Sequence, residues 1–187
     1  MSAPAVPGEL QAEASREGEY VILEASVDLP ADLAKAHHPG SPGFAIPSRH
    51  EIHIVLADAK QEARGFQPVL AHEITHVLLE QLAEPFGNRI PRWVHEGIAQ
   101  ASSGRSLSAA ERAGVIEQAR AKKMTLSKSA DEWANLDSQS ARLAYDLALS
   151  AVEVYRQESG TAGLRNLLRN PERLARITAD LDRKLGL

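Results

Sequence analysis

The stretch Val69-Leu70-Ala71-His72-Glu73-Ile74-Thr75-His76-Val77-Leu78-Leu79-Glu80 holds two histidines four residues apart, with a glutamate directly after the first. Val69, Leu70, Ile74, Val77, Leu78 and Leu82 recur around them at helical spacing and predict a helix with a buried apolar face. At about 100° per residue, His76 lies roughly 40° from His72 on the helix wheel and Glu73 about 60° beyond it, so the three share one sector. Burying two imidazoles and a carboxylate without a partner is costly, and a bound cation removes that cost. Zinc takes neutral histidine nitrogen readily and keeps a water at its open position. A carboxylate one residue past the first histidine is placed to take that water's proton, which is the pattern of metal-activated hydrolysis. Two histidines leave zinc short of a third protein ligand, so any fold of this chain must bring another donor to this helix.

The chain length of 187 residues suits one domain with a sizeable core. Hydrophobic residues make up 43% and aromatics only 4%, so the apolar content is mostly Ala, Leu, Val and Ile and favours helices over sheets. A net charge of -4, with no long run of Lys and Arg, leaves no electrostatic footprint for nucleic acid. There are no cysteines, so a metal must sit on nitrogen and oxygen ligands. No apolar run approaches the roughly 20 residues that span a bilayer, and the opening residues lack the apolar segment of a signal peptide. The reading is of a chain without a membrane span or targeting segment as given, and it leaves the compartment open.

Residues 1–18 are rich in Pro, Ala, Glu and Gly without periodicity and read as a flexible lead to a single domain over 19–187. A strand is expected over Tyr20–Val27, followed by a loop over 30–49 with at most a helical turn near Ala31 to Ala36. His37 and His38 fall in that loop and read as a solvated pair. His50–Ala57 alternates Ile52, Ile54 and Leu56 with Glu51, His53 and Val55, which predicts a strand with one buried face and places His50 and His53 on its polar side. Its position before the histidine helix makes it a candidate edge strand for an extended peptide.

The histidine helix is expected to start at Pro68, where a missing N–H costs nothing, and to run to about Ala83, with Pro85 and Gly87 beyond it. A second helix begins at Pro91 through Pro91-Arg92-Trp93-Val94-His95-Glu96-Gly97-Ile98-Ala99-Gln100-Ala101. On it, Glu96 is the best candidate for the missing ligand; the competing reading is a carboxylate favoured near a helix N-terminus by the macrodipole. Ser108 and Glu111 form a capping box that opens a helix to about Lys123. Trp133 and Leu136 read as anchors of a mixed segment. A long helix over Ser138–Glu158 stops at Gly160, and two short helices follow over Thr161–Arg169 and Pro171–Lys184. The apolar stripe of the last is Leu174, Ile177, Leu181 and Leu185.

With those residues in place, the chain resembles the gluzincin metallopeptidases, and more closely the small bacterial peptidase MA-like domains. The resemblance rests on His72-Glu73-Ile74-Thr75-His76 and, 20 residues after His76, Glu96 inside Trp93-Val94-His95-Glu96-Gly97-Ile98-Ala99. It covers mainly residues 50 to about 165. It implies an α+β, zincin-like fold, with a small antiparallel sheet before the metal helix and a helical second half. It also implies zinc held by His72, His76 and Glu96, Glu73 as general base, and a peptide or protein substrate. Related gluzincins use a downstream tyrosine to hydrogen-bond the tetrahedral oxyanion, and Tyr145 matches that place; the competing reading is a half-buried packing tyrosine. His95 stands where related aminopeptidases usually carry Asn. The G-x-M-E-N loop of the aminopeptidase branch is missing, so an endopeptidase is favoured. Gly97 is expected to let the second helix pack close to the metal helix.

Two further readings stand beside zinc-dependent peptide hydrolysis. One is a zinc-binding interaction module without turnover, against which an intact Glu73 argues. The other is hydrolysis of a non-peptide amide by the same chemistry.

Overall fold

The computed structural model describes residues 23–24, 42–46, 51–54, 65–85 and 89–187. In chain order these form β1 (Leu23–Glu24), β2 (Gly43–Ile46), β3 (Glu51–Ile54), α1 (Phe66–Ala83), α2 (Arg92–Ser102), α3 (Ala109–Ala121) and α4 (Leu126–Glu132). A 3-10 turn over Trp133–Asn135, α5 (Ser138–Arg169), a second 3-10 turn over Pro171–Arg173 and α6 (Leu174–Leu185) complete the chain. The architecture is α+β, mostly helical with one small sheet. The chain divides into two compact units, Met1–Val77 and Leu78–Leu187, with the division falling inside α1.

In the first unit, β3 is the middle strand of three, in the order β1-β3-β2. It runs parallel to β1 and antiparallel to β2, with Phe44 opposite His53 and Ala45 opposite Ile52. Three expectations are corrected here. The sheet is mixed rather than purely antiparallel, and the strand before the histidine helix is central rather than an edge. The loop expected over 30–49 contains a strand, because Gly43–Ile46 is short enough for its flanking prolines and glycines to mask its pattern. The alternation read into β3 also fails: Ile52 and Ile54 are buried, but so is His53, at 4% exposure, with its ring stacked on Phe44 at 4.9 Å. Phe44, opposite His53 on β2, covers the imidazole on the face that was expected to be polar.

Gly65, with φ of 78°, turns the chain into α1, and Pro68 occupies the first turn, where no intrahelical acceptor awaits its nitrogen. On the first-unit side, Val69 and Val77 pack with Ile52 and Ile54, and Leu70, Ile74, Phe66 and Ala45 close the cluster. The last turns of α1 give Leu79 and Ala83 to the second unit's core.

That core is built around α2 and α5. Trp93 is fully buried, and its indole N–H donates to Thr178 Oγ1 on α6 at 3.1 Å. The expected capping box is present: Ser108 Oγ accepts from Glu111 N at 3.2 Å, and Glu111 Oε2 accepts from Ser108 N at 2.7 Å. Asp137 caps α5, accepting from Ser140 N at 2.8 Å. The stop expected at Gly160 appears as a break inside one long element, where Gly160 takes φ 66° and ψ −176°. Leu174, Leu181 and Leu185 are buried along α6, with Ile177 packed beside them. The lead over 1–18, most of Tyr20–Val27, the turn near 31–36, and His37, His38 and His50 lie outside the described residues.

Candidate metal centre

His72 and His76 stand one turn apart on α1, both half-buried, with ring centroids 4.9 Å apart and the rings edge to face. Stacking turns of a helix bring i and i+4 side chains together, so the sequence spacing dictates this pairing directly. Glu73, one residue on, is buried at 6% exposure. A Cβ on Gly43 would stand 3.3 Å from Glu73 Cγ and 2.8 Å from Ile54 Cδ1, so the first residue of β2 passes Glu73 where only a glycine fits. Thr75 turns its hydroxyl back to donate to the Ala71 carbonyl at 2.7 Å.

Glu96 lies in the second turn of α2 and is 1% exposed. A carboxylate taken out of water this completely needs a cation or several donors. Arg92, one turn earlier, supplies one: its Nε lies 2.8 Å from Glu96 Oε1. Ligand atoms from His72, His76 and Glu96 all lie within 4.8 Å of one another. Two neutral imidazole nitrogens and one carboxylate oxygen form a donor set suited to zinc, and the group's compactness fits one cation. The residues present therefore fit a metal ion, with Glu96 in the place that sequence reasoning proposed for a third ligand. His95 is beside Glu96 and His53 is in the sheet, and neither belongs to this group of three.

Tyr145 lies on α5, half-buried, its ring edge-on to Trp133 at 5.0 Å. The Arg92 guanidinium and the Trp133 ring lie beside it. Burial pushes its hydroxyl up from 10.0 to about 12, and the nearby Glu96 carboxylate adds to the rise while Arg92 opposes it. Arg92 has its own pKa raised: burial works against its charge, but Glu96 and Tyr145 outweigh that. The guanidinium also lies over the Trp133 ring, 5.9 Å from its centroid.

Gln100, one turn beyond Glu96, donates to the Tyr145 carbonyl at 2.6 Å and so ties α2 to α5 at the level of the tyrosine. Sequence reasoning singled out neither Arg92 nor Gln100. The spacing of Arg92 four residues before Glu96 is a signal for an ion pair on a helix face, whereas the Gln100 bond to a distant backbone oxygen leaves no trace in sequence.

The chain matches no protein-family model, no curated protein and no solved structure.

Proposed function

We propose that this protein is a zinc-dependent hydrolase of peptide bonds, built on a zincin-like arrangement of α1 and α2. The observation that carries the reading is the convergence of His72, His76 and Glu96, with a glutamate placed directly after the first histidine. A zinc ion held by those three would polarise the scissile carbonyl and lower the pKa of a bound water, and three protein ligands leave it a position for substrate.

The chain's own residues supply the rest. Glu73 accepts the proton of the attacking water as its oxygen bonds to the carbonyl carbon. It then delivers that proton to the amide nitrogen as the C–N bond breaks, so it ends the cycle ionised as it began. The buried setting of Glu73 beside Gly43 keeps bulk water from competing for that proton. The Tyr145 O–H donates to the oxygen that gains negative charge on the tetrahedral carbon.

A zinc-binding module without turnover would need a fourth protein ligand to close the site, and the group found among the described residues has three. The test is cleavage of a broad peptide library by the zinc-loaded protein. Cleavage that a chelator abolishes and zinc restores supports the reading. A protein that holds zinc tightly and cleaves nothing in the library refutes it in favour of the binding module. No described helix is long and apolar enough to cross a membrane.

A further inference from the structure

We propose that Arg92 is a positioning residue that fixes the Glu96 carboxylate and settles which of its oxygens faces the metal. The inference rests on the metal-centre reading above and goes beyond it to a residue that neither binds the metal nor meets the substrate.

The geometry runs through one planar group. A guanidinium carries five N–H donors in a rigid fork, whereas a lysine ammonium is a compact point charge on a flexible stem. Arg92 Nε engages Glu96 Oε1 at 2.8 Å. A carboxylate has two oxygens, so holding one by the arginine leaves the other as the ligand atom and stops the group from rotating between them. The face of Trp133 lies under the guanidinium at 5.9 Å and holds the fork in place. The same indole packs edge-on against the Tyr145 ring at 5.0 Å. Arg92 sits one helical turn before Glu96, and about half of its side chain is exposed.

The competing view is that Arg92 only neutralises a buried carboxylate. In that case any positive charge at position 92 would serve. The experiment therefore compares wild type, Arg92→Gln and Arg92→Lys. For each, zinc affinity is measured by competition with a chromophoric chelator, and the visible spectrum of the cobalt-substituted protein is recorded. Peptide-cleavage kcat and KM are read separately, and thermal melts establish that each variant is folded. The expected result is a zinc affinity about 10–100-fold weaker in Arg92→Gln, the range for partners that orient metal ligands. Arg92→Lys should recover only part of that loss, show a shifted cobalt spectrum, and lose kcat with little change in KM.

If Arg92→Lys matches wild type in affinity, spectrum and kcat, charge alone suffices and the positioning role is overturned. The same holds if both folded variants match wild type. If Arg92→Gln does not fold, Arg92→Lys carries the comparison alone. If wild type itself binds neither zinc nor cobalt, the metal-centre reading fails and takes this inference with it, an outcome distinguishable from a failure at Arg92 alone.

Discussion

Gly97 on α2 packs directly against the Ala148 backbone on α5: a Cβ there would run into the Ala148 carbonyl and stand 2.6 Å from Val152 Cγ2. The two helices thus touch backbone to backbone one residue after Glu96 and three residues after Tyr145. A closer approach of helix axes shortens the reach between side chains on either side of the crossing, and here those side chains are Glu96, Arg92, Gln100 and Tyr145. The close packing expected between Gly97 and the metal helix is corrected here, because the atoms that a Cβ would meet belong to α5.

Gly97→Ala should therefore lower stability by about 1–3 kcal/mol, the usual cost of forcing an atom into a packed core, and separate Glu96 from Tyr145. Gly114 in α3 is the control, because nothing lies within 4 Å of a Cβ built there. Gly114→Ala should stabilise by about 0.5–1 kcal/mol through reduced backbone freedom in the unfolded chain. Urea titration of both variants checks the pair; equal effects would mean that the crossing is looser than described.

Zinc should raise the melting temperature of wild type by mass action on a site that only the folded chain forms. Glu96→Ala removes a ligand, so the same zinc concentration should produce a smaller shift. Melting curves with and without zinc measure this, and an undiminished shift in Glu96→Ala would take Glu96 out of the metal's coordination.

Tyr145→Phe keeps the ring packed on Trp133 and deletes only the hydroxyl. Zinc affinity should stay close to wild type while kcat falls by about 10²–10³-fold, the range for loss of one oxyanion donor. Steady-state kinetics with the metal content assayed on the same samples separates that outcome from a packing role, which would leave kcat largely intact.

Asp137 has its pKa lowered by accepting from the Ser140 backbone N–H and hydroxyl at the start of α5. A folded pKa below the unfolded value of 3.8 means that the cap's ionic contribution is fully present above that value and is lost as pH falls through the folded pKa. Asparagine caps without a charge. Wild type should thus hold its melting temperature against Asp137→Asn at neutral pH and lose ground to it below about pH 4. Parallel melts from pH 7 to 3 test this, and a constant difference across the range would contradict it.

The parts of this molecule that were legible in sequence are those set by local spacing. The pairing of His72 with His76, the capping box at Ser108 and Glu111, and the break at Gly160 each depend on residues within a few positions of one another. The placing of Glu96 near the two histidines was reachable because two histidines leave a zinc site one ligand short. His53 was misread because its burial comes with the Phe44 ring stacked on it from β2, which no alternation within four residues reveals. Gly43 went unnoticed for a similar reason: its need to be glycine arises from Glu73 and Ile54, which are distant in sequence. The link from Arg92 to Tyr145 likewise spans elements that only the folded chain brings together.

The most direct test of the proposed chemistry is the peptide-cleavage rate of Glu73→Gln beside wild type, with zinc content measured on the same samples. Glutamine keeps the size and hydrogen-bonding of the side chain but cannot take up the water proton. Both proteins should be folded and carry about one zinc per chain, and cleavage by the variant should be at least about a hundredfold slower, the usual contribution of a positioned general base. A Glu73→Gln protein that holds zinc and cleaves as fast as wild type would show that another group takes the proton and that the mechanism is wrong.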